Sequence, residues 1–226
     1  MSAGSLSALR TDAALPFRIA GAMPSAPRRL LLLAHGVGGN ETNLAALGER
    51  FGDDTLVVLP RAPLELGAGQ YAWFQVAFGP QGPRPDLDAA ERSRRGLADF
   101  IAELQSRYRV AASQTVVAGF SQGGIVSASV GLTRPELLRG FGVLAGRILP
   151  EIEPLLADRA SLARIAAFVG HGRDDSKLPV EWAHRAEAWL SELGVAHETR
   201  VYPGDHAIAP AMAADFHAWF ARLTRV

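Results

Sequence analysis

The sequence contains no cysteine. Disulfides, thiolate nucleophiles and Cys-ligated metal sites are therefore excluded, and the absence fits a reducing compartment. Neither sign of charge is in excess. Lys+Arg and Asp+Glu number 23 each, so the formal net charge is zero. Such a balance points to no general affinity for nucleic acid or an anionic membrane. The clusters Arg28-Arg29 and Arg92-Ser93-Arg94-Arg95 read as solvated faces. Long apolar runs are also missing. Leu30 to Ala34 is far too short to cross a bilayer, so no stable membrane insertion is expected. Met1 to Leu15 carries Asp12 and lacks a basic start followed by an apolar run. It does not read as a secretory signal, and the expectation is a soluble, cytoplasmic protein.

What is present is ordinary for a globular chain. Of the 226 residues, 48% are hydrophobic and 20% charged, enough to bury a full core. No repeat, low-complexity tract or linker divides the chain, so residues 1–226 are expected to form one domain. Short apolar runs recur: Leu30 to Ala34, ending at His35-Gly36; Leu56 to Leu59, at Pro60; Thr115 to Ala118, at Gly119; Phe141 to Leu144, at Ala145-Gly146; and Ile165 to Val169, at Gly170. Such runs suit strands covered on both faces of a parallel sheet. A last, more alternating strand is expected over His197 to Tyr202. Between the runs lie stretches of helical period: Asn40 to Arg50, Asp86 to Tyr108, Gln122 to Leu132, Pro179 to Leu193 and Ala209 to Leu223. The alternation predicts an α/β fold with a mostly parallel central sheet and helices on both faces. Arg61 to Pro85, with prolines at 63, 80, 83 and 85, reads as a long loop around a short aromatic insert, Tyr71 to Phe74.

The chemistry concentrates at Gly119-Phe120-Ser121-Gln122-Gly123-Gly124. This is Gly-x-Ser-x-Gly between a strand and a helix, the setting of a nucleophile elbow in an α/β-hydrolase fold. The turn strains the serine backbone, and small residues on either side let strand and helix approach closely. A free serine hydroxyl is a poor nucleophile and needs a base. In this fold the chain order is Ser, acid, His. Of the histidines after Ser121, His184 and His217 fall within helices and His197 begins a strand. His171-Gly172 reads as a tight turn after a strand. His206 lies in a loop between the last strand and the last helix, where it can reach Ser121. The acid is expected on the loop Gly170 to Pro179, where Asp174 and Asp175 compete. Asp205 is a poor choice because neighbouring side chains rarely face each other. The oxyanion hole needs the N–H of the residue after the nucleophile, Gln122, and one from an early strand–helix loop. His35-Gly36-Val37-Gly38-Gly39-Asn40 is that loop, with Val37 N–H as the donor. It lacks the third glycine of a dinucleotide motif and the Gly-Lys-Ser/Thr of a P-loop.

Together the motifs resemble the phospholipase/carboxylesterase family of α/β hydrolases, the acyl-protein thioesterase and bacterial carboxylesterase group. The resemblance runs from about Leu30 to the C-terminus. It rests on Ala34-His35-Gly36-Val37-Gly38, Pro60-Arg61-Ala62-Pro63, Trp73-Phe74, Gly119 to Gly124, His171-Gly172 to Pro179 and Gly204-Asp205-His206. The family pattern of His-Gly, two residues, Asp, and a proline four further on implies Asp175 over Asp174. The resemblance likewise implies Val37 and Gln122 as oxyanion donors, and Trp73 and Phe74 on a loop lining the acyl site. It implies a serine hydrolase acting on carboxylic esters, thioesters or lysophospholipids through an acyl-enzyme, with a small-molecule substrate and no metal or cofactor. The chain departs from the pattern at Gln75, where Asp is frequent, and at Ala34, where Leu is frequent. The aromatic loop is also a candidate contact between two copies of the chain. The same triad on this fold can cleave peptide or C–C bonds, and a binding protein would keep the fold while losing a triad member.

Overall fold

The computed structural model describes residues 6–79 and 82–225, and the side chains of these except at 78, 79, 82 and 83. Met1 to Ser5 of the N-terminal stretch, and Pro80 and Gln81 of the 61–85 segment, lie outside the described residues. In chain order the elements are β1 (Phe17–Ala20), β2 (Arg29–Ala34), α1 (Ala45–Gly48), β3 (Thr55–Pro60), β4 (Leu64–Gly67), β5 (Gln70–Ala72), β6 (Val76–Gly79) and β7 (Gly82–Pro85). Then follow α2 (Leu87–Tyr108), β8 (Thr115–Phe120), α3 (Gln122–Thr133), β9 (Gly140–Leu144), α4 (Arg159–Leu162), β10 (Ala166–Gly172), α5 (Glu181–Leu193), β11 (Ala196–Tyr202) and α6 (Pro210–Leu223).

Among the described residues, seven strands form one sheet in the order β1-β3-β2-β8-β9-β10-β11. Only β1 runs antiparallel, pairing Phe17 with Pro60. The apolar runs are buried on both sides because successive side chains point to opposite faces. Along β2, Leu30, Leu32 and Ala34 enter one core while Leu31 and Leu33 enter the other. The first core takes Phe100 and Leu104 of α2, Ile125 and Val130 of α3 and Leu190 of α5. The second takes Leu47 of α1 and Met212, Phe216 and Phe220 of α6. Helices therefore cover both faces, as the alternation predicts.

Three local readings change. The helix expected over Asn40 to Arg50 shrinks to Ala45–Gly48. Asn40 instead closes a turn, its side-chain oxygen accepting from the N–H and hydroxyl of Thr42, a local bond that competes with helix. The segment 61–85 is not a plain loop but two antiparallel hairpins, β4–β5 and β6–β7. His171 and Gly172 are the last two residues of β10, not a turn after it. They pair with Val201 and Tyr202 of β11. The antiparallel edge strand β1 was not foreseen, because four residues bounded by coil carry too little period to read. Among the described residues, no helix is long and apolar enough to cross a membrane.

Candidate active site

The parallel strands end at one edge of the sheet, and the candidate residues sit on the loops leaving it. β8 turns sharply into α3 at Ser121, whose backbone is held at φ 53°, ψ −116°. A non-glycine residue at positive φ is strained, and such strain collects at functional sites. The flanking glycines are dictated by contact. A Cβ on Gly123 would lie 2.0 Å from the Ala34 carbonyl oxygen, and one on Gly119 would lie 2.3 Å from the Gly123 carbonyl carbon. The Ser121 N–H donates to the Leu144 carbonyl (2.8 Å), which fixes the elbow to β9.

His206 reaches Ser121 from the loop between β11 and α6. Its Nε2 is 3.0 Å from Ser121 Oγ, and its Nδ1 is 2.7 Å from Asp175 Oδ2. The carboxylate can only accept, so Nδ1 carries the proton and Nε2 is left to accept from the hydroxyl. Asp175 Oδ1 accepts from the backbone N–H groups of Lys177 (2.9 Å) and Leu178 (2.8 Å). Burial alone would raise the Asp175 carboxyl. The Leu178 N–H, His206 and the Lys177 N–H outweigh that and hold it below the ordinary carboxylate range. Asp174 is exposed and stands apart from this chain of contacts. The carboxylate of Asp205 is bonded elsewhere than to the imidazole. It accepts from the backbone N–H groups of Ser176 and His206, each at 2.7 Å, and ties the acid loop to the histidine loop.

His171 is a neighbour that sequence reasoning misplaced. It is fully buried beneath the acid, with Nε2 donating to the Leu178 carbonyl (2.7 Å) and 3.3 Å from Asp175 Oδ2. Its position at the end of β10, opposite β11, puts it there. A short His-Gly read alone gives no such signal.

The loop after β2 brings Val37 beside the elbow. Gly36 passes close enough that a Cβ there would be 3.3 Å from Ser121 Cβ. The Gly38 N–H donates to the Tyr71 carbonyl (2.9 Å) and the Gly39 N–H to the Gly36 carbonyl (3.1 Å). Among the described residues, no carbonyl takes the Val37 N–H. Gln122 is the first residue of α3, so its N–H has no acceptor within the helix. Both amides can therefore serve a developing oxyanion. The β4–β5 hairpin supports the loop, since the Tyr71 N–H donates to the Gly39 carbonyl (2.8 Å) and the Asn40 side chain to the Gly69 carbonyl (2.9 Å). Glu41 anchors its far end, bonded to Arg61 (2.7 Å) and Arg18 (3.0 Å). Burial opposes the charge on Glu41, but the two guanidinium groups overcome it and hold the carboxyl at about 2. Inside the loop, His35 is buried and neutral. Its Nε2 accepts from the Ala62 N–H (3.1 Å), so Nδ1 donates to the Gly36 carbonyl (2.7 Å). Burial lowers its pKa.

A cavity of about 350 Å³ opens over Ser121 and His206, lined among others by Val37, Phe74, Val76, Ile125 and Leu178. Phe74 is in its wall. Trp73 is not. It is 1% exposed and its indole N–H donates to the His35 carbonyl (2.9 Å), so it backs the loop rather than meeting a ligand. The Gln122 side chain links these parts. Its oxygen accepts from the Trp73 N–H (2.8 Å) and its amide donates to the Phe74 carbonyl (2.7 Å).

The parallel sheet, the strained serine at the end of its β8 strand and the histidine arriving from the β11–α6 loop define a hydrolase of the α/β-hydrolase fold. The sequence profile of the phospholipase/carboxylesterase family matches residues 20–222, and the chain belongs to that family. It is 27% identical to a putative hydrolase, MhqD, of Bacillus subtilis strain 168, covering 84% of this chain and 92% of that protein. It is 24% identical to acyl-protein thioesterase 1 of Emericella nidulans, covering 75% and 78% of the two chains. The crystal structure of a carboxylesterase from Mesorhizobium loti superposes with a TM-score of 0.81 at 26% identity, covering 95% of this chain and 98% of that one.

Proposed function

We propose that the protein hydrolyses carboxylic esters of short to medium acyl chain, and thioesters, with Ser121 as nucleophile, His206 as base and Asp175 as acid. The observation that carries this reading is the continuous relay from Ser121 Oγ through His206 (3.0 Å) to Asp175 (2.7 Å) at the floor of a cavity. Ser121 attacks the ester carbonyl while His206 Nε2 takes its proton. The carbonyl oxygen becomes an oxyanion and receives the N–H groups of Val37 and Gln122, each worth about 3 kcal/mol in the transition state. The tetrahedral intermediate expels the alcohol or thiol, which takes the proton from His206. Water then attacks the acyl-enzyme with His206 again as base, and the acid and free Ser121 are released. Asp175 holds the imidazole tautomer and stabilises the imidazolium. Phe74 supplies an apolar wall for the acyl chain, and the cavity volume suits a short to medium one. The names of the relatives, carboxylesterase and acyl-protein thioesterase, support ester and thioester bonds over peptide or C–C bonds.

The test is hydrolysis of p-nitrophenyl esters from acetate to palmitate by the wild type and by Ser121→Ala. Turnover that vanishes in the variant, with an optimum below the long chains, is expected. Turnover that survives in Ser121→Ala, or none with any ester or thioester, would sink the reading.

A further inference from the structure

The same cavity has a charged side that ester hydrolysis as such does not require. Arg147 and Lys177, the latter the only lysine in the chain, both line it, and among the described residues no acidic one does. Arg147 is carried there by a strained turn. Ala145 has φ 50°, and a Cβ on Gly146 would lie 2.9 Å from the Ser121 carbonyl oxygen. The chain is thus pressed against the nucleophile's own backbone just before Arg147. The Arg147 guanidinium lies 4.5 Å over the ring of Trp182, whose ring also meets Arg185 at 4.8 Å. Stacking engages the face of a guanidinium and leaves the N–H groups at its edge available for a planar anion. Among the described residues Arg147 has no ion pair within 4 Å. Burial pushes its pKa down, and Glu151 offsets this only in part and from beyond ion-pair distance. Asp175 cannot serve as its counter-ion, because both carboxylate oxygens are engaged by His206, Lys177 N–H and Leu178 N–H. A half-buried cation without a partner is costly, and it stands beside the candidate nucleophile.

We infer that the substrate bears an anionic group, carboxylate or phosphate, which binds at Arg147 and Lys177 while its ester or thioester carbonyl lies at Ser121. The inference rests on Ser121 being the nucleophile. It adds a charge requirement to what the apolar wall around Phe74 selects.

Matched pairs of esters test it. Mono-p-nitrophenyl adipate against p-nitrophenyl hexanoate places a carboxylate on the acyl side. The butanoyl ester of 4-hydroxybenzoate against that of its methyl ester places it on the leaving group. The butanoyl ester of 4-hydroxyphenyl phosphate against its dimethyl phosphotriester distinguishes phosphate from carboxylate. The expected result is a ratio of kcat/KM, anionic over neutral, of tenfold or more in at least one pair. That ratio should fall at least tenfold in Arg147→Met, which keeps the side-chain stem on Trp182, and less in Arg147→Lys or Lys177→Ala. Ratios near one in every pair, or a ratio untouched in Arg147→Met, would overturn the inference. A calorimetric titration of monomethyl against dimethyl adipate reads the site without turnover. Selective binding of the monoanion that is lost in Arg147→Met, in a protein that cleaves no ester, would sink the esterase reading and leave the anion site standing. Equal binding of the two would sink the anion site.

Discussion

Gln122 holds the site together twice, and the two roles can be separated. Its backbone N–H is a proposed oxyanion donor, while its side chain, 3% exposed, bridges the Trp73 N–H and the Phe74 carbonyl. Gln122→Met keeps the backbone and nearly the volume but removes both side-chain bonds. It strands one buried donor and one buried acceptor, each costing about 1–3 kcal/mol. A loss of about 4 kcal/mol follows, which for a chain of this size lowers Tm by about 8–16 °C. Because native stability is about 5–15 kcal/mol, the variant remains mostly folded at 25 °C. The oxyanion donor survives and the Phe74 wall loosens, so kcat/KM falls mainly through KM. Urea unfolding and p-nitrophenyl ester kinetics check the two halves. A stability within about 0.5 kcal/mol of wild type, the range of an ordinary surface change, would refute the clamp. So would a fall confined to kcat.

Asp175→Asn tests the tautomer. The new amide oxygen would stay on the Lys177 and Leu178 N–H groups, turning NH₂ toward His206 Nδ1 and placing the imidazole proton on Nε2, where it cannot accept from Ser121. A fall in kcat on the order of 10⁴-fold with little change in Tm is expected, and an active variant with the original tautomer by ¹⁵N NMR would contradict it. Glu41 makes stability depend on pH. Its folded pKa of about 2 lies below the ordinary 4.5, so its contribution, about 3 kcal/mol, is full above the unfolded value and lost as pH falls through the folded one. About 2 kcal/mol of it is gone by pH 3. Unfolding free energies of wild type and Glu41→Gln from pH 6 to pH 3 should converge by that amount, and parallel curves would show the pairing with Arg18 and Arg61 to be inert. Gly123→Ala should yield little folded protein, because its Cβ would lie 2.0 Å from the Ala34 carbonyl oxygen. A folded variant with wild-type Tm would refute that packing.

Much of the architecture is legible in one dimension because its signals are local. Apolar runs such as Leu30 to Ala34 mark strands buried on both faces, and 3.6-residue periods mark α2, α5 and α6 to within one or two residues. Gly-x-Ser-x-Gly is readable because each glycine answers a contact within its own turn or the strand beside it. Other features carry no such local signal. The hairpins of 61–85 hide among prolines and glycines, which read as loop. Trp73 and Phe74 are adjacent and both aromatic, yet one is sealed under the loop after β2 and the other faces the cavity. Only the packing of β5 against Gly39 and the reach of Gln122 separate them.

The sequence by itself determined the order of strands and helices, the strained serine and the short set of residues able to serve it, because propensity, period and turn chemistry act over a few neighbours. The tertiary structure alone decided that Trp73 is sealed while Phe74 faces the cavity, that His171 lies buried beneath Asp175, and that Arg147, among the described residues, stands without an ion-pair partner in the cavity over Ser121. Asp175 and His206, and Ser121 and Arg147, are tens of positions apart, and His171 meets Asp175 only through the way the loop folds back over the end of β10; no periodicity encodes a distance across a sheet edge.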